Sequence, residues 1–162
     1  MEASLPVIHG SFRIERELAV PVAAVFAAYS DSESRRRWFR MPGPRESLRH
    51  ELDFRVGGGE TASNRFAPMG VVESLEYASR FLDICVDSRI VWAYWFALDG
   101  RRRWASLVTV ELEPLSAGTR LTHSEQYALL EYSGDGSQDA LHLEGGTRLQ
   151  LNGLGAALGL VQ

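Results

Sequence analysis

The last third of the chain constrains the fold most, because a strand-like segment and a long helix-like segment follow one another there. Residues 118–130 (GTRLTHSEQYALL) are typical of a strand. Beyond a polar loop, side chains of one mostly apolar face recur every three or four positions, as in an amphipathic helix. These side chains are Ala140, Leu143, Thr147, Leu151, Leu154 and Leu158.

A series of strand-like segments lies between this helix and two earlier helical segments. Pro21 suits the first position of a helix, a second short helix ends before Pro42, and Asp99-Gly100 is the strongest hairpin signal. Helices near both ends, with only strands between them, predict a curved antiparallel sheet that closes around one long helix. The predicted strands cover residues 11–20, 48–56, 60–66, 71–86 (bulged), 89–98, 101–112 and 119–129.

Composition places the chain among ordinary globular proteins and excludes several functions. Its 162 residues, 45% of them hydrophobic, predict a single domain of residues 1–162. A net charge of −4 disfavours nucleic acid as a partner. No secretory signal is expected, and the longest apolar run, residues 90–98, is too short for the roughly 20 residues of a membrane span.

Cysteine and lysine usage limits the chemistry further. Cys85 is the single cysteine, so no intrachain disulfide forms, and we expect a cytoplasmic protein in which Cys85 packs inertly in an apolar strand. All 17 basic residues are arginine, which excludes a lysine nucleophile or Schiff base. The four histidines are scattered without the spacing of a ligand set, so we predict no metal and no cofactor.

Alternation along three predicted strands assigns the candidate site residues to one face of the sheet. If Leu121 points to the interior, so do His123 and Glu125, an unusual pair to aim into a core. The predicted inner wall and ligand-binding set consists of Trp92, Tyr94, Trp104, His123, Glu125 and Tyr127.

Five segments, in this order, resemble the activator-of-heat-shock-protein-ATPase-like branch of the START-related (SRPBCC) superfamily. They are FRIERELAVPVAAVFAAYSDSESRRRWF, HELDFRVGGGE, RFLDICVDSRIVWAYWFALDGRR, VTVELEPLSAGTRLTHSEQYALL and EGGTRLQLNGLGAAL. The resemblance covers about residues 11–158. It implies an α+β helix-grip fold: a six- to seven-stranded antiparallel sheet wrapped around the C-terminal helix, with two short helices after the first strand and a cavity between sheet and helix.

The resemblance implies less about activity. Relatives bind lipids, plant hormones or polyketides, a few cyclise or hydrolyse them, and some stimulate a chaperone ATPase. This chain also departs from the pattern, with Gly146-Thr147 where many relatives have Gly-Trp, and with Tyr127 where a small residue is common. The identity of a ligand therefore does not carry over.

His123 and Glu125 are the sharpest chemical candidates. Same-face neighbours on a strand lie roughly 6–7 Å apart, so the two side chains are able to act through a water or ligand as an acid/base pair. The alternative is a structural polar pair. Likewise, Trp92, Tyr94 and Trp104 line either an aromatic pocket or an ordinary core.

Residues 90–98 (IVWAYWFAL) are apolar on both faces, so their outer face needs a cover. Either the N-terminal helices cover it, or a homodimer contact does, through Val91, Ala93, Trp95 and Ala97. The triplets Arg35–Arg37 and Arg101–Arg103 are interpreted as solvated, with an acidic partner as the alternative. The glycines after residue 144 suggest either close contact of the last helix with the sheet or a later helix start.

Three functional hypotheses follow from these patterns. The first is a small protein that binds a hydrophobic or aromatic molecule between the sheet and the C-terminal helix. The second is a protein-binding module that modulates a chaperone ATPase or regulator. The third is a cyclase- or hydrolase-type enzyme that uses His123 and Glu125.

Overall fold

A computed structural model describes residues 4–160 and shows one seven-stranded antiparallel sheet with three α-helices. The strand order across the sheet is β1-β7-β6-β5-β4-β3-β2, which confirms the predicted α+β helix-grip architecture. None of the helices within residues 4–160 has the length and apolar character that a membrane span requires. The elements are β1 (Ile8–Leu18), α1 (Val22–Ser30), α2 (Ser32–Trp38), β2 (Arg49–Leu52), β3 (Glu60–Phe66), β4 (Glu73–Cys85), β5 (Arg89–Leu98), β6 (Arg101–Leu115), β7 (Gly118–Leu129) and α3 (Ser137–Ala157).

Turn chemistry explains the hairpins that order the middle strands. Asp99 and Gly100 both have positive φ, 51° and 76°, which is the backbone of a type I′ turn and joins β5 tightly to β6. The bulge predicted in β4 is present, as a register shift between Phe81 and Asp83. The strand predicted over residues 48–56 is shorter, because turns around Gly57 replace its second half.

The last strand pairs with the first along its whole length. Ile8 lies opposite Leu129 and Leu18 lies opposite Thr119, so β1 and β7 form adjacent antiparallel strands. This pairing places Phe12 opposite Glu125, and Ile14 opposite His123. The candidate residues of β7 are therefore flanked by β1 on one side and β6 on the other.

All three helices lie on the same face of the sheet, which we call the inner face. Val25 and Tyr29 of α1 belong to one buried core with Trp92 and Val108 of the sheet, and α3 contributes Leu151. The indole Nε1 of Trp38 donates to the carbonyl of Ala28 at 2.9 Å and so ties α2 to α1. The alternative that the N-terminal helices cover the outer face is wrong.

The glycines of α3 have different surroundings. The helix begins at Ser137, so the expectation of a later start is wrong. A Cβ at Gly153 would lie 3.6 Å from the Trp38 side chain, an ordinary contact. A Cβ at Gly145 or Gly146 would meet no atom within 4 Å, so close packing does not require glycine at these two positions.

We expect Gly145→Ala to stabilise the protein by about 1 kcal/mol, because alanine loses less backbone entropy in a helix and fits the open space there. Urea unfolding measures the change. Gly59→Ala is the contrasting variant, since its Cβ would collide with the backbone carbonyl of Ser79 and lower the free energy of unfolding. A destabilised Gly145→Ala protein would contradict the packing described for α3.

Candidate functional site

A chain of hydrogen bonds crosses the inner face of β5, β6 and β7. The indole Nε1 of Trp104 donates to Tyr94 Oη at 3.1 Å, and Tyr94 Oη donates to Glu125 Oε2 at 2.6 Å. The other carboxylate oxygen, Oε1, lies 3.1 Å from His123 Nε2. Four of the six predicted site residues are thus joined directly, and both oxygens of Glu125 are engaged.

Burial keeps the tyrosine of this hydrogen-bonded chain protonated. Glu125 is 2% exposed. Burial, and then the nearby charge of Glu125, raise the pKa of Tyr94 well above its usual range, so its hydroxyl stays protonated and donates. Glu125 engages Nε2 of the His123 ring, so Nδ1 is the ring nitrogen that this carboxyl group does not contact. Chemically, the chain offers one oriented imidazole nitrogen and a neutral phenol set among aromatic rings.

The remaining two predicted residues occupy different positions. Trp92 meets His123 edge to face, with ring centroids 6.2 Å apart, and so belongs to the same wall. The Tyr127 ring lies over Gly10, where an added Cβ would collide with it. The centroid of this ring is 6.3 Å from the centroid of the Phe12 ring. Tyr127 therefore stands at one side of the hydrogen-bonded chain rather than within it.

A second buried polar cluster lies on the inner face, between α2 and the β2–β3 edge of the sheet. Arg35 forms a two-pronged ion pair with Glu60, from Nε to Oε2 at 2.7 Å and from Nη2 to Oε1 at 2.9 Å. His50 Nε2 contacts Glu60 Oε2 at 2.8 Å. The guanidinium carbon of Arg35 also lies 4.1 Å from the Trp38 ring centroid, in a cation–π contact.

This cluster corrects the interpretation of the first arginine triplet as solvated. Arg36 and Arg37 are exposed as expected, but Arg35 is 5% exposed. The sequence pattern of β3 could have predicted that Glu60, the partner of Arg35, is buried. In an alternating strand Glu60 shares a face with the buried Ala62. Helical spacing carried the other signal, because Arg35 lies three positions before the buried Trp38.

Opposite charges outweigh burial at this ion pair. Burial alone would raise the pKa of Glu60, but the charge of Arg35 and hydrogen bonds from His50 and Arg35 hold it below its usual value. Burial alone would lower the pKa of Arg35, and Glu60 instead keeps it above its usual value. The pair is therefore fully ionised at neutral pH.

Aromatic side chains connect the two clusters into one wall. The centroid of the Tyr77 ring lies 5.4 Å from that of Phe39, the ring next to His50. It lies 5.0 Å from the centroid of Tyr94. Tyr29 makes the other link, with its ring 6.3 Å from Trp92. The inner face thus carries a continuous run of rings with two groups of buried polar atoms.

The outer face carries an open groove with a volume of about 560 Å³. Its side chains alternate with the inward-facing residues, and among the described residues no helix contributes to it. Arg102 covers Trp95, with its guanidinium carbon 4.3 Å from the ring. Ala97 is only 2% exposed, so an outer contact would fall to the other three predicted residues. The outward side chains of the groove include Ala78, Arg80, Ala93, Trp95, Leu107 and Gln126.

Two further predictions concern metal binding and the single cysteine. Within residues 4–160, no three His, Cys, Asp or Glu side chains are grouped as a metal site. Cys85 is exposed at the end of β4, so its predicted role in packing is wrong.

The family model of "Activator of Hsp90 ATPase homolog 1-like protein" matches residues 19–159, and the chain belongs to this family. Two rhizobial proteins of known structure are similar over nearly the full length. Mll3558 from Rhizobium loti is 39% identical, with 94% of this chain and 99% of that chain covered and a TM-score of 0.79. A protein from Rhizobium leguminosarum is 35% identical, with 95% and 97% covered and a TM-score of 0.79.

A more distant protein from Arthrobacter aurescens, solved by solution NMR, has the same fold. It is 26% identical, with 92% of this chain and 86% of that chain covered and a TM-score of 0.68. The comparison with curated proteins gives no match.

We expect Glu60→Gln to lower the free energy of unfolding by about 3–5 kcal/mol at pH 7, because it leaves the Arg35 charge buried without a counter-charge. Since the pKa of Glu60 is lowered on folding, its contribution is complete above the unfolded pKa and is lost as pH falls through the folded pKa. The difference between the wild type and the variant should therefore shrink below about pH 4.3.

Chemical denaturation at several pH values measures this difference. Glu51→Gln on β2 is the matched control, because Glu51 is exposed and its replacement should change stability by less than about 0.5 kcal/mol. Equal effects of the two variants at pH 7 would contradict a structural role for the ion pair.

Proposed function

We propose that this protein binds a hydrophobic or aromatic small molecule between the inner face of the sheet and α3. The observation that carries the proposal is the hydrogen-bonded chain from Trp104 through Tyr94 and Glu125 to His123. A few oriented polar atoms within an aromatic wall are the usual composition of a small-molecule site. The family supports a ligand-binding type of domain without specifying the ligand.

Each candidate residue would make the kind of contact with the ligand that its side chain allows. Trp92 and Trp104 offer flat apolar surface, with Tyr127 at the side of the wall. His123 Nδ1 offers a polar contact, because Glu125 engages the other ring nitrogen. On α3, the threonine at position 147 shares the stripe of the buried Leu143 and Leu151, so ligand and helix would meet there.

Catalysis through the same residues is the enzymatic alternative. A cyclase or hydrolase would use His123 as the general base and Glu125 as the group that orients it. This hypothesis requires that His123→Ala removes turnover while binding persists. The geometry supplies the oriented imidazole, and nothing further on the inner face favours a particular reaction.

We expect Thr147→Trp to weaken binding of the fluorescent probe 1-aminoanthracene at least about tenfold, because the indole would compete with the proposed ligand at the interface of α3 and the sheet. Arg148→Trp, at an exposed position of the same helix, should leave binding unchanged. Native mass spectrometry of freshly purified wild type, under gentle and denaturing conditions, tests in parallel for a co-purified molecule. Absence of both a co-purified molecule and saturable probe binding would contradict the proposal.

A second candidate function is protein binding through the outer face, and the groove there favours it. An antiparallel sheet usually exposes polar side chains on its open face, whereas this face presents Ala93, Trp95 and Leu107. A second copy of the chain is the partner we propose, through Val91, Ala93 and Trp95. A chaperone or regulator is the alternative partner, and both fit the cytoplasmic setting that the sequence predicts.

We expect sedimentation velocity to show a dimer of about 36 kDa, twice the 18.0 kDa of the chain, and Ala93→Arg to convert it to monomer by placing a charge in the apolar contact. Ala117→Arg, in the exposed turn between β6 and β7, is the matched control. A wild type that stays monomeric at high micromolar concentration would remove the homodimer.

A further inference from the structure

Three buried polar atoms of one interior cluster have no hydrogen-bond partner in the described part of the protein. They are Tyr29 Oη, Arg35 Nη1 and His50 Nδ1. A buried donor without an acceptor is costly, and a charged donor more so, which makes such atoms rare in native structures. In native proteins such atoms pair with a buried water or with a ligand, so their concentration beside one ion pair marks a place where a ligand atom would bind.

Two donors of the cluster, Arg35 Nη1 and Tyr29 Oη, are left without an acceptor among the described residues. Arg35 uses Nε and Nη2 for Glu60, so Nη1 is the corner of the guanidinium that remains. The Arg35 guanidinium carbon lies 6.0 Å from the centre of the Tyr29 ring. Burial, opposed by Arg35 and assisted by Glu60, raises the pKa of Tyr29, so its hydroxyl remains a donor.

The charge balance of the cluster selects the kind of acceptor. Glu60 already neutralises Arg35, and an ionised ligand would bring an uncompensated charge into the interior. A neutral oxygen satisfies both donors without that cost. His50 Nε2 contacts the ionised Glu60, and His50 Nδ1 is left without a partner among the described residues.

We propose that Arg35 Nη1 and Tyr29 Oη bind a neutral carbonyl oxygen, of a ketone, ester or amide, on the ligand of the inner face. This inference rests on the proposed ligand-binding function and adds the chemical class of the ligand: an aromatic or apolar body with one carbonyl group. Continuity along the wall supports it, because the Tyr29 ring lies 6.3 Å from Trp92, whose ring contacts His123. The aromatic or apolar part of the ligand would lie along that wall, and the carbonyl oxygen of the ligand would lie at Arg35.

Three probes of the same shape test the inference by quenching of intrinsic tryptophan fluorescence. They are 2-acetylnaphthalene with a carbonyl oxygen, 2-isopropylnaphthalene with none, and 2-naphthoate with a charge. We expect 2-acetylnaphthalene to bind about tenfold more tightly than 2-isopropylnaphthalene, and 2-naphthoate to bind no more tightly than the ketone.

Tyr29→Phe is the decisive variant, since it removes one hydroxyl that has no partner and should leave the fold intact. It should reduce the preference for the ketone about three- to tenfold without changing the affinity for 2-isopropylnaphthalene. Tyr132→Phe is the matched control, because that hydroxyl donates to the carbonyl of Pro6 away from the cluster.

Each outcome separates this inference from the proposed function. Equal binding of the ketone and the hydrocarbon would overturn the carbonyl site and leave an inner ligand site standing. Tightest binding of 2-naphthoate would overturn the neutral acceptor. A ketone preference that survives Tyr29→Phe would remove Tyr29 from the site. Absence of binding by all three probes would overturn the inference and the proposed function together.

Discussion

The ion pair between Arg35 and Glu60 is the interaction on which the helical layer depends. It joins α2 to β3 in a region where neither partner reaches solvent, so the two charges must stay together or both be lost. Trp38, one turn further along α2, packs against the guanidinium and against Gly153 of α3. The position of α3 over the sheet therefore follows from a contact made near the opposite edge of the sheet.

Each face of the sheet departs in part from the usual distribution of polarity. The inner face buries an ion pair and a carboxylate that is shared by an imidazole and a phenol, while the outer face exposes alanines, a tryptophan and a leucine. Buried polar groups lower the free energy of unfolding unless each has a partner. An inner face with so many of them is therefore unfavourable for a purely structural core. A face that has to recognise a molecule would retain them.

Much of the architecture could be predicted from the sequence, because period-two alternation, the Asp99-Gly100 turn and the stripe along α3 are all local signals. The inner placement of His123 and Glu125 followed from the same alternation. Arg35 has only a weak local signal, its spacing of three positions from Trp38, because its burial depends on Glu60, 25 positions away, and a triplet of arginines is typical of a solvated surface. The outer groove could not be predicted from the sequence, because a depression between alanines arises from the shape of the whole sheet.

The pairing of β1 with β7 has a consequence for how the chain folds. Ile8 meets Leu129, so the first strand must wait for nearly the entire chain before it finds its partner. Contacts so distant in sequence close large loops, and proteins rich in them fold slowly. Until β7 arrives, β1 has no partner strand and one edge of β6 stays open, and both strands are able to pair with other chains. Nascent chains of this protein therefore face their greatest risk of aggregation late, after most of the sheet exists and before β7 joins the first strand to it.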